Sequence, residues 1–290
     1  MNEVEDARLG VLGAGVMGTG IAVVAIGHGI PVVLVDVSED KLADARHRVD
    51  LQLRHARLMG SVPAKGAGPR PAELTTTTDP AAVAGATAVV EAVVEDAEIK
   101  AKVLGETSQL LRAGTPLISN TSGIPIGELG RFTARPDELV GVHFMNPAYL
   151  ITMVEVIRGD LTSDETMTAV TGLLARMGRR GIVVRDAPGF VTSRLLHPMI
   201  NEAARIVAAG VTSAESVDDL MRGCLGHPTG PLRTADLIGL DNLVDALRAL
   251  WERTGDASFQ PCELLLEKVA MGHLGRKSGK GFYDYEKVLS

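Results

Sequence analysis

His143 sits near the end of an apolar run, Val142-His-Phe-Met-Asn-Pro147, beside the polar Asn146 and the chain-breaking Pro147. Twelve residues on, Glu155 interrupts a second apolar run, Met153-Val-Glu-Val-Ile157. A carboxylate inside such a run needs a partner, because burying it unpaired is costly. Histidine titrates near working pH and is the usual side chain for moving a proton. A buried glutamate holding one imidazole tautomer accounts for both residues at once. The alternative is a structural histidine beside a strand-edge glutamate, and spacing alone leaves both open. Of the other histidines, His47 and His55 fall in a polar, Arg-rich stretch and are expected in solvent. His28 ends a helical stretch and can cap it.

A second constellation lies at Leu9–Gly18. Gly13, Gly15 and Gly18 have the spacing G-x-G-x-x-G, and Asp36 follows 18 residues after Gly18. The spacing alone is weak evidence in a chain with 32 glycines. The context strengthens it: a strand-like run precedes the glycines, a helical stretch opening with Val16 and Met17 follows, and Asp36 ends a second strand. Gly13 permits a tight turn, Gly15 admits a pyrophosphate, and Gly18 lets helix and strand pack closely. The helix N-terminus then offers free N–H groups to the phosphates. Asp36 can accept from adenosine ribose hydroxyls and would repel a 2′-phosphate, which favours NAD over NADP. That cofactor carries the hydride chemistry, and the chain must supply a base and orientation.

These residues must be held by regular elements. Short β-branched runs occur at Leu9–Leu12, Val32–Val35, Ala88–Ala92, Leu117–Ser119, Val140–Phe144, Val154–Ile157 and Ile182–Val184. They read as buried parallel strands. Helical stretches fall between most of them, at Gly18–His28, Ser38–Leu58, Asp96–Leu111 and Asp164–Met177. This alternation predicts an α/β Rossmann-type doubly wound sheet. The Pro/Gly-rich segment Gly60–Pro71 breaks the rhythm and reads as an irregular loop. Asp186-Ala-Pro-Gly189 marks the domain boundary, which divides the chain into residues 1–186 and 187–290. Beyond it the strands stop, and Phe190–Ala209, Ser213–Cys224, Leu240–Glu252 and Pro261–Met271 read as helices of a smaller all-α domain.

Composition narrows the remaining classes. The net charge of −7 argues against a nucleic-acid binder. Aromatic residues at 3% leave little for a base-stacking platform. Cys224 and Cys262 have no paired spacing and form neither a disulfide framework nor a zinc site. No bound metal is expected. No secretory signal or long uncharged apolar run is found, so the expectation is a cytoplasmic protein without membrane attachment.

The segments LGVLGAGVMGTGIA, VVEAVVEDAEIK, SNTSGIPI, GVHFMNPAYLITMVEVIRG, DAPGFVTSRLL, HPTGPLRTADLIGLD and GRKSGKGFYDY occur in this order along nearly the whole chain. Together they resemble the short-chain L-3-hydroxyacyl-CoA dehydrogenases, including the 3-hydroxybutyryl-CoA dehydrogenases. The resemblance implies that His143 is the general base and Glu155 its orienting partner. It places Ser122 against the reacting oxygen and Asn146 against His143 or the substrate. It places Glu95 and Lys100 toward the nicotinamide ribose, and it implies a homodimer formed through the helical domain. Lys277 and Lys280 are expected to be structural or solvated.

Two departures bear on substrate. Ser193 stands where the family usually has an asparagine that contacts nicotinamide and substrate. The Gly60–Pro71 loop, with only Lys65 and Arg70, replaces a basic helical lid that helps hold the CoA nucleotide. The segment Ala148–Thr152 also differs from the family's usual run. Coenzyme A is the expected carrier. The alternative is the branch acting on a short acyl group, such as glyceryl, carried on an acyl carrier protein in polyketide extender-unit biosynthesis. Dehydrogenases of free β-hydroxy acids share the glycine-rich start but rely on a helix lysine, and the helix beginning at Phe190 has none. A non-catalytic NADH-binding protein is the rival from another class.

Overall fold

The computed structural model describes residues 7–64 and 73–285. The chain divides into two compact units, Met1–Ala187 and Pro188–Ser290.

In the first unit the elements are β1 (Leu9–Leu12), α1 (Val16–Gly27), β2 (Val32–Val35), α2 (Glu39–Leu58), β3 (Leu74–Thr77) and β4 (Ala88–Glu91). Then come α3 (Ala97–Leu110), β5 (Leu117–Ser119), α4 (Ile126–Gly130), β6 (Leu139–His143), β7 (Met153–Arg158), α5 (Asp164–Arg176) and β8 (Arg180–Arg185). The strand order is β3-β2-β1-β4-β5-β6-β7-β8. The expected doubly wound fold is present. The order reverses at β1, which leaves a crevice beyond the carboxyl ends of β1 and β4, where such sheets bind ligands.

The helices form for local reasons that the sequence states. Helix α1 is apolar nearly all round and is buried from Gly18 to Gly27, as expected of a helix enclosed by its neighbours. Helix α2 is largely polar and buries a stripe of Leu42, Ala45, Val49 and Ala56. Ser38 caps it by accepting from the Lys41 N–H, and Asp96 caps α3 by accepting from the Ile99 N–H. Val11, Ile21, Val24, Leu34 and Val140 lie in the core between these helices and the sheet. Truncating one such leucine to alanine costs about 2–5 kcal/mol.

The strand expectations need three corrections. β7 pairs antiparallel with β6, because the connection 144–152 is shorter than the dozen or more residues that a parallel crossover requires. β8 pairs with β7 at the sheet edge and is largely exposed rather than buried. β3 was not anticipated. Its sequence Leu-Thr-Thr-Thr lacks an apolar pattern, yet threonine's branched Cβ favours the extended chain, and it forms a half-exposed edge. Of the Gly60–Pro71 loop, Lys65 and Arg70 lie outside the described residues; its start packs Val62 beneath Gly27.

The second unit contains α6 (Thr192–Ala208), α7 (Ala214–Leu225), α8 (Pro231–Ile238), α9 (Leu240–Thr254) and α10 (Glu263–Ala270). Ile200, Leu232, Leu240, Leu243, Leu247 and Leu265 form its core. Helix α8 hides behind a loop-like sequence, His-Pro-Thr-Gly-Pro. Pro231 takes a first-turn position that suits it. The buried Asp218 of α7 accepts the N–H groups of Leu232 and Arg233 at 2.8 and 2.9 Å. Asp236 of α8 accepts the Phe282 and Tyr283 N–H groups at 2.9 and 3.0 Å. A Cβ on Gly281 would stand 2.0 Å from that carboxylate, so the glycine-rich tail is a clasp. Lys277 pairs with Asp241 at 2.6 Å.

Candidate active site

Four chain segments bring polar groups to the carboxyl edge of the parallel strands. The loop after β1 carries the glycines, β4 ends in Glu91, β5 ends in Ser119 and β6 ends in His143. β7 returns from the same edge and carries Glu155.

Each glycine of the fingerprint has a distinct constraint. Gly13 has φ +101°, and a Cβ there would meet the Ala92 carbonyl oxygen at 2.5 Å. A Cβ on Gly18 would stand 1.8 Å from the Gly13 carbonyl oxygen, so helix and turn touch directly. A Cβ on Gly15 would meet no protein atom within 4 Å. The space above Gly15 therefore fits a group from outside the chain. The first turn of α1, beginning at Val16 and Met17, directs its N–H groups there, which suits a pyrophosphate. Asp36 follows β2, and its Oδ2 accepts the Ala14 N–H at 2.8 Å while Oδ1 accepts the Ser38 N–H at 3.1 Å. Arg48 donates to the Ala14 carbonyl at 2.8 Å. Asp36 thus braces the glycine loop, and a carboxylate has lone pairs to spare for ribose hydroxyls.

His143 and Glu155 are directly opposed in the β6–β7 register. The His143 Nδ1 and Glu155 Oε2 lie 2.8 Å apart, and both side chains are buried. The antiparallel turn of the chain makes this contact. With Nδ1–H committed to the carboxylate, Nε2 carries the lone pair that can take a proton.

A buried polar network flanks this pair. Lys100 of α3 is 1% exposed and lies 2.6 Å from Glu91 and 3.2 Å from Glu95. Glu95 Oε1 accepts from Thr121 Oγ1 at 2.6 Å, the Ser122 N–H at 2.7 Å and Ser122 Oγ at 3.0 Å. Burial raises the Glu95 pKa, but Lys100 and these hydrogen bonds outweigh it, so the carboxyl titrates below its ordinary value. Of the expected pair Glu95 and Lys100, the two side chains differ in access. The ammonium is enclosed between carboxylates, and only Glu95 of the trio is open, with a side chain 41% exposed. Asn120 Oδ1 accepts the Phe144 N–H at 3.0 Å and ties the Ser122 loop to the strand end that bears His143.

Asn146 is exposed on the loop after β6, and Ser193 lies buried in the first turn of α6 in the second unit. Sequence reasoning missed Glu91, Ser119, Asn120 and Thr121. Glu91 carried a readable signal, a carboxylate inside the apolar run Ala88-Val-Val-Glu-Ala92, which is the same signal that singled out Glu155. His55 was expected in solvent and is exposed, though its Nδ1 approaches the Tyr149 hydroxyl at 3.2 Å. Among the described residues no three His, Cys, Asp or Glu side chains cluster to hold a metal, and no helix is long and apolar enough to cross a membrane.

A doubly wound sheet with this glycine loop, acidic strand end and helical second unit defines a dinucleotide-dependent oxidoreductase. The comparisons narrow the class. Residues 8–187 match the NAD binding domain of 3-hydroxyacyl-CoA dehydrogenase, and residues 189–285 match its C-terminal domain. The chain is 40% identical over 281 residues to a probable 3-hydroxybutyryl-CoA dehydrogenase of Deinococcus radiodurans, covering 96% of this chain and 100% of that one. It is 38% identical over 286 residues to a probable 3-hydroxybutyryl-CoA dehydrogenase of Bacillus subtilis, covering 99% and 100%. The solved (S)-3-hydroxybutyryl-CoA dehydrogenase of Ralstonia eutropha superposes with a TM-score of 0.87 at 36% identity, covering 96% and 99%. The chain belongs to the 3-hydroxyacyl-CoA dehydrogenase family, and its cofactor is NAD.

Proposed function

We propose that this chain interconverts a short 3-hydroxyacyl thioester of coenzyme A and the 3-oxoacyl thioester, with 3-hydroxybutyryl-CoA the leading substrate. One observation carries the mechanism: the 2.8 Å contact between His143 and Glu155 across the β6–β7 pair of the same sheet that carries the glycine loop. The names of the relatives support the substrate class.

In the oxidising direction His143 Nε2 takes the 3-hydroxyl proton. Glu155 stabilises the imidazolium that results and keeps the ring in one tautomer. Bound NAD would supply the acceptor for the hydride that leaves C3. Ser122 orients the reacting oxygen, with Asn146 as a further contact to substrate. Gly13, Gly15, Val16, Met17 and Gly18 would hold the pyrophosphate, Asp36 the adenosine ribose, and Glu95 would accept from the nicotinamide ribose with Lys100 behind it. In the reducing direction His143 returns the proton to the oxygen. The protein acts as a homodimer joined through its helical unit.

The test is NADH oxidation with acetoacetyl-CoA beside the same acyl group on an acyl carrier protein. Turnover with the CoA thioester is expected. Activity confined to the protein-bound substrate would overturn the carrier assignment. Failure with both, in protein that binds NADH, would overturn the enzymatic reading in favour of a non-catalytic NADH binder.

A further inference from the structure

Among the described residues of the first unit, Glu91 is the most enclosed carboxylate, and the mechanism above does not use it. It is 0% exposed and is the last residue of β4, flanked in register by Leu12 of β1 and Ser119 of β5. Its Oε1 accepts from Lys100 Nζ at 2.6 Å and from the Val93 N–H at 2.9 Å. Its Oε2 accepts from Ser119 Oγ at 2.7 Å. With these donors in place and no exposed surface, Glu91 cannot touch a ligand. Stability does not account for the arrangement either. Burying a Lys–Glu pair costs desolvation on both sides, and an apolar pair of similar volume is often as stable.

The geometry of Lys100 points to another role. One cation is divided between two carboxylates, nearer to Glu91 at 2.6 Å than to Glu95 at 3.2 Å. Glu91 draws the ammonium toward the sheet. Glu95 is then held at its Oε2 without being fully neutralised, and its Oε1 stays a strong acceptor for the loop of Thr121 and Ser122. That loop leaves β5 directly after Ser119, whose hydroxyl is anchored on the same Glu91. Glu91 therefore grips both the helix that supplies Lys100 and the strand that supplies the Ser122 loop.

We infer that Glu91 is a positioning residue for the reaction: through Lys100 and Ser119 it sets the placement and acceptor strength of Glu95, and through Glu95 the orientation of Ser122. This rests on the assignment of Glu95 and Ser122 to the cofactor and substrate side under the proposed function. Glu91 acts only through its neighbours, so its effect should vanish when Glu95 can no longer respond. A residue that merely held α3 to the sheet would cost the same whether or not Glu95 were intact.

The experiment is a double-mutant cycle of Glu91→Gln and Glu95→Gln in the full chain. It reads the NADH dissociation constant by fluorescence and kcat separately from KM, per binding-competent site. Each single variant is expected to weaken NADH binding or lower kcat by about tenfold, and the double variant to be no worse than Glu95→Gln alone. Strictly additive losses, or a Glu91→Gln protein with lowered thermal stability but wild-type dissociation constant and kcat, would overturn the inference while leaving the site assignment standing. An unchanged Glu95→Gln protein would overturn the assignment of Glu95, and the inference with it. If Glu91→Gln does not fold, Ser119→Ala removes only one of the hydrogen bonds to Glu91, and the same cycle with Glu95→Gln must again be non-additive.

Discussion

His143 and Glu155 face each other across an antiparallel strand pair, and their side chains meet at 2.8 Å in a buried setting. The backbone register, rather than a flexible loop, holds the carboxylate against the ring. His143→Ala should lower kcat by about 10²–10⁴-fold and leave NADH binding within about threefold. Glu155→Gln keeps the shape but loses the charge that favours an imidazolium, so it should lower kcat by about tenfold or more with a small change in KM. Steady-state kinetics alongside a fluorescence titration of NADH checks both.

Gly15 and Gly18 should respond in opposite ways to the same change. Gly18→Ala forces a Cβ within 1.8 Å of the Gly13 carbonyl oxygen and should destabilise the first unit by about 2–4 kcal/mol. Gly15→Ala meets no protein atom within 4 Å, so its thermal midpoint should hold. It should still weaken NADH binding by about tenfold or more, because the methyl occupies the pyrophosphate's space. Thermal unfolding with and without NADH distinguishes the two.

Glu95 gives a pH signature. Its folded pKa lies below the ordinary 4.5, so the unfolded chain binds the proton more readily as the pH falls. The stabilisation from this carboxylate is fully present above the unfolded pKa and is lost as the pH drops through the folded one. The urea stability of the wild type minus that of Glu95→Gln should be constant above about pH 5.5 and shrink below about pH 4.5. Screening reduces the amplitude, since the side chain is 41% exposed. A difference that grows on acidification would refute the assignment.

Asp218→Ala should damage the second unit without touching cofactor binding. It removes the acceptor for the Leu232 and Arg233 N–H groups and for the Tyr283 hydroxyl at 2.7 Å. Stranding buried donors costs about 1–3 kcal/mol each. The variant should lose several degrees of thermal stability, while NADH affinity stays that of the wild type in protein kept below its unfolding temperature.

The parts of this molecule legible in advance were those with strong local signals. Apolar β-branched runs announced β1, β2, β4 and β5, and Ser38 and Asp96 announced the starts of α2 and α3. His143, at the end of β6, and Glu155, inside β7, were legible because each broke an apolar pattern. What escaped depended on distant partners. Helix α8 starts at a Pro-rich segment because Asp218, remote in sequence, supplies its cap. Strand direction at β7 is set by the length of a connection, which composition does not reveal. Lys100 was expected beside Glu95, but its burial against Glu91 was not legible, because that contact joins a helix to a strand end.

The antiparallel return at β7 has a further consequence. Its pairing with β6 is carried by the backbone ladder, with Val142 opposite Val156, and its direction by the shortness of the span 144–152 that joins the two strands. A change in the length of that span should therefore disturb the partnership of His143 and Glu155 more than a substitution that keeps its length.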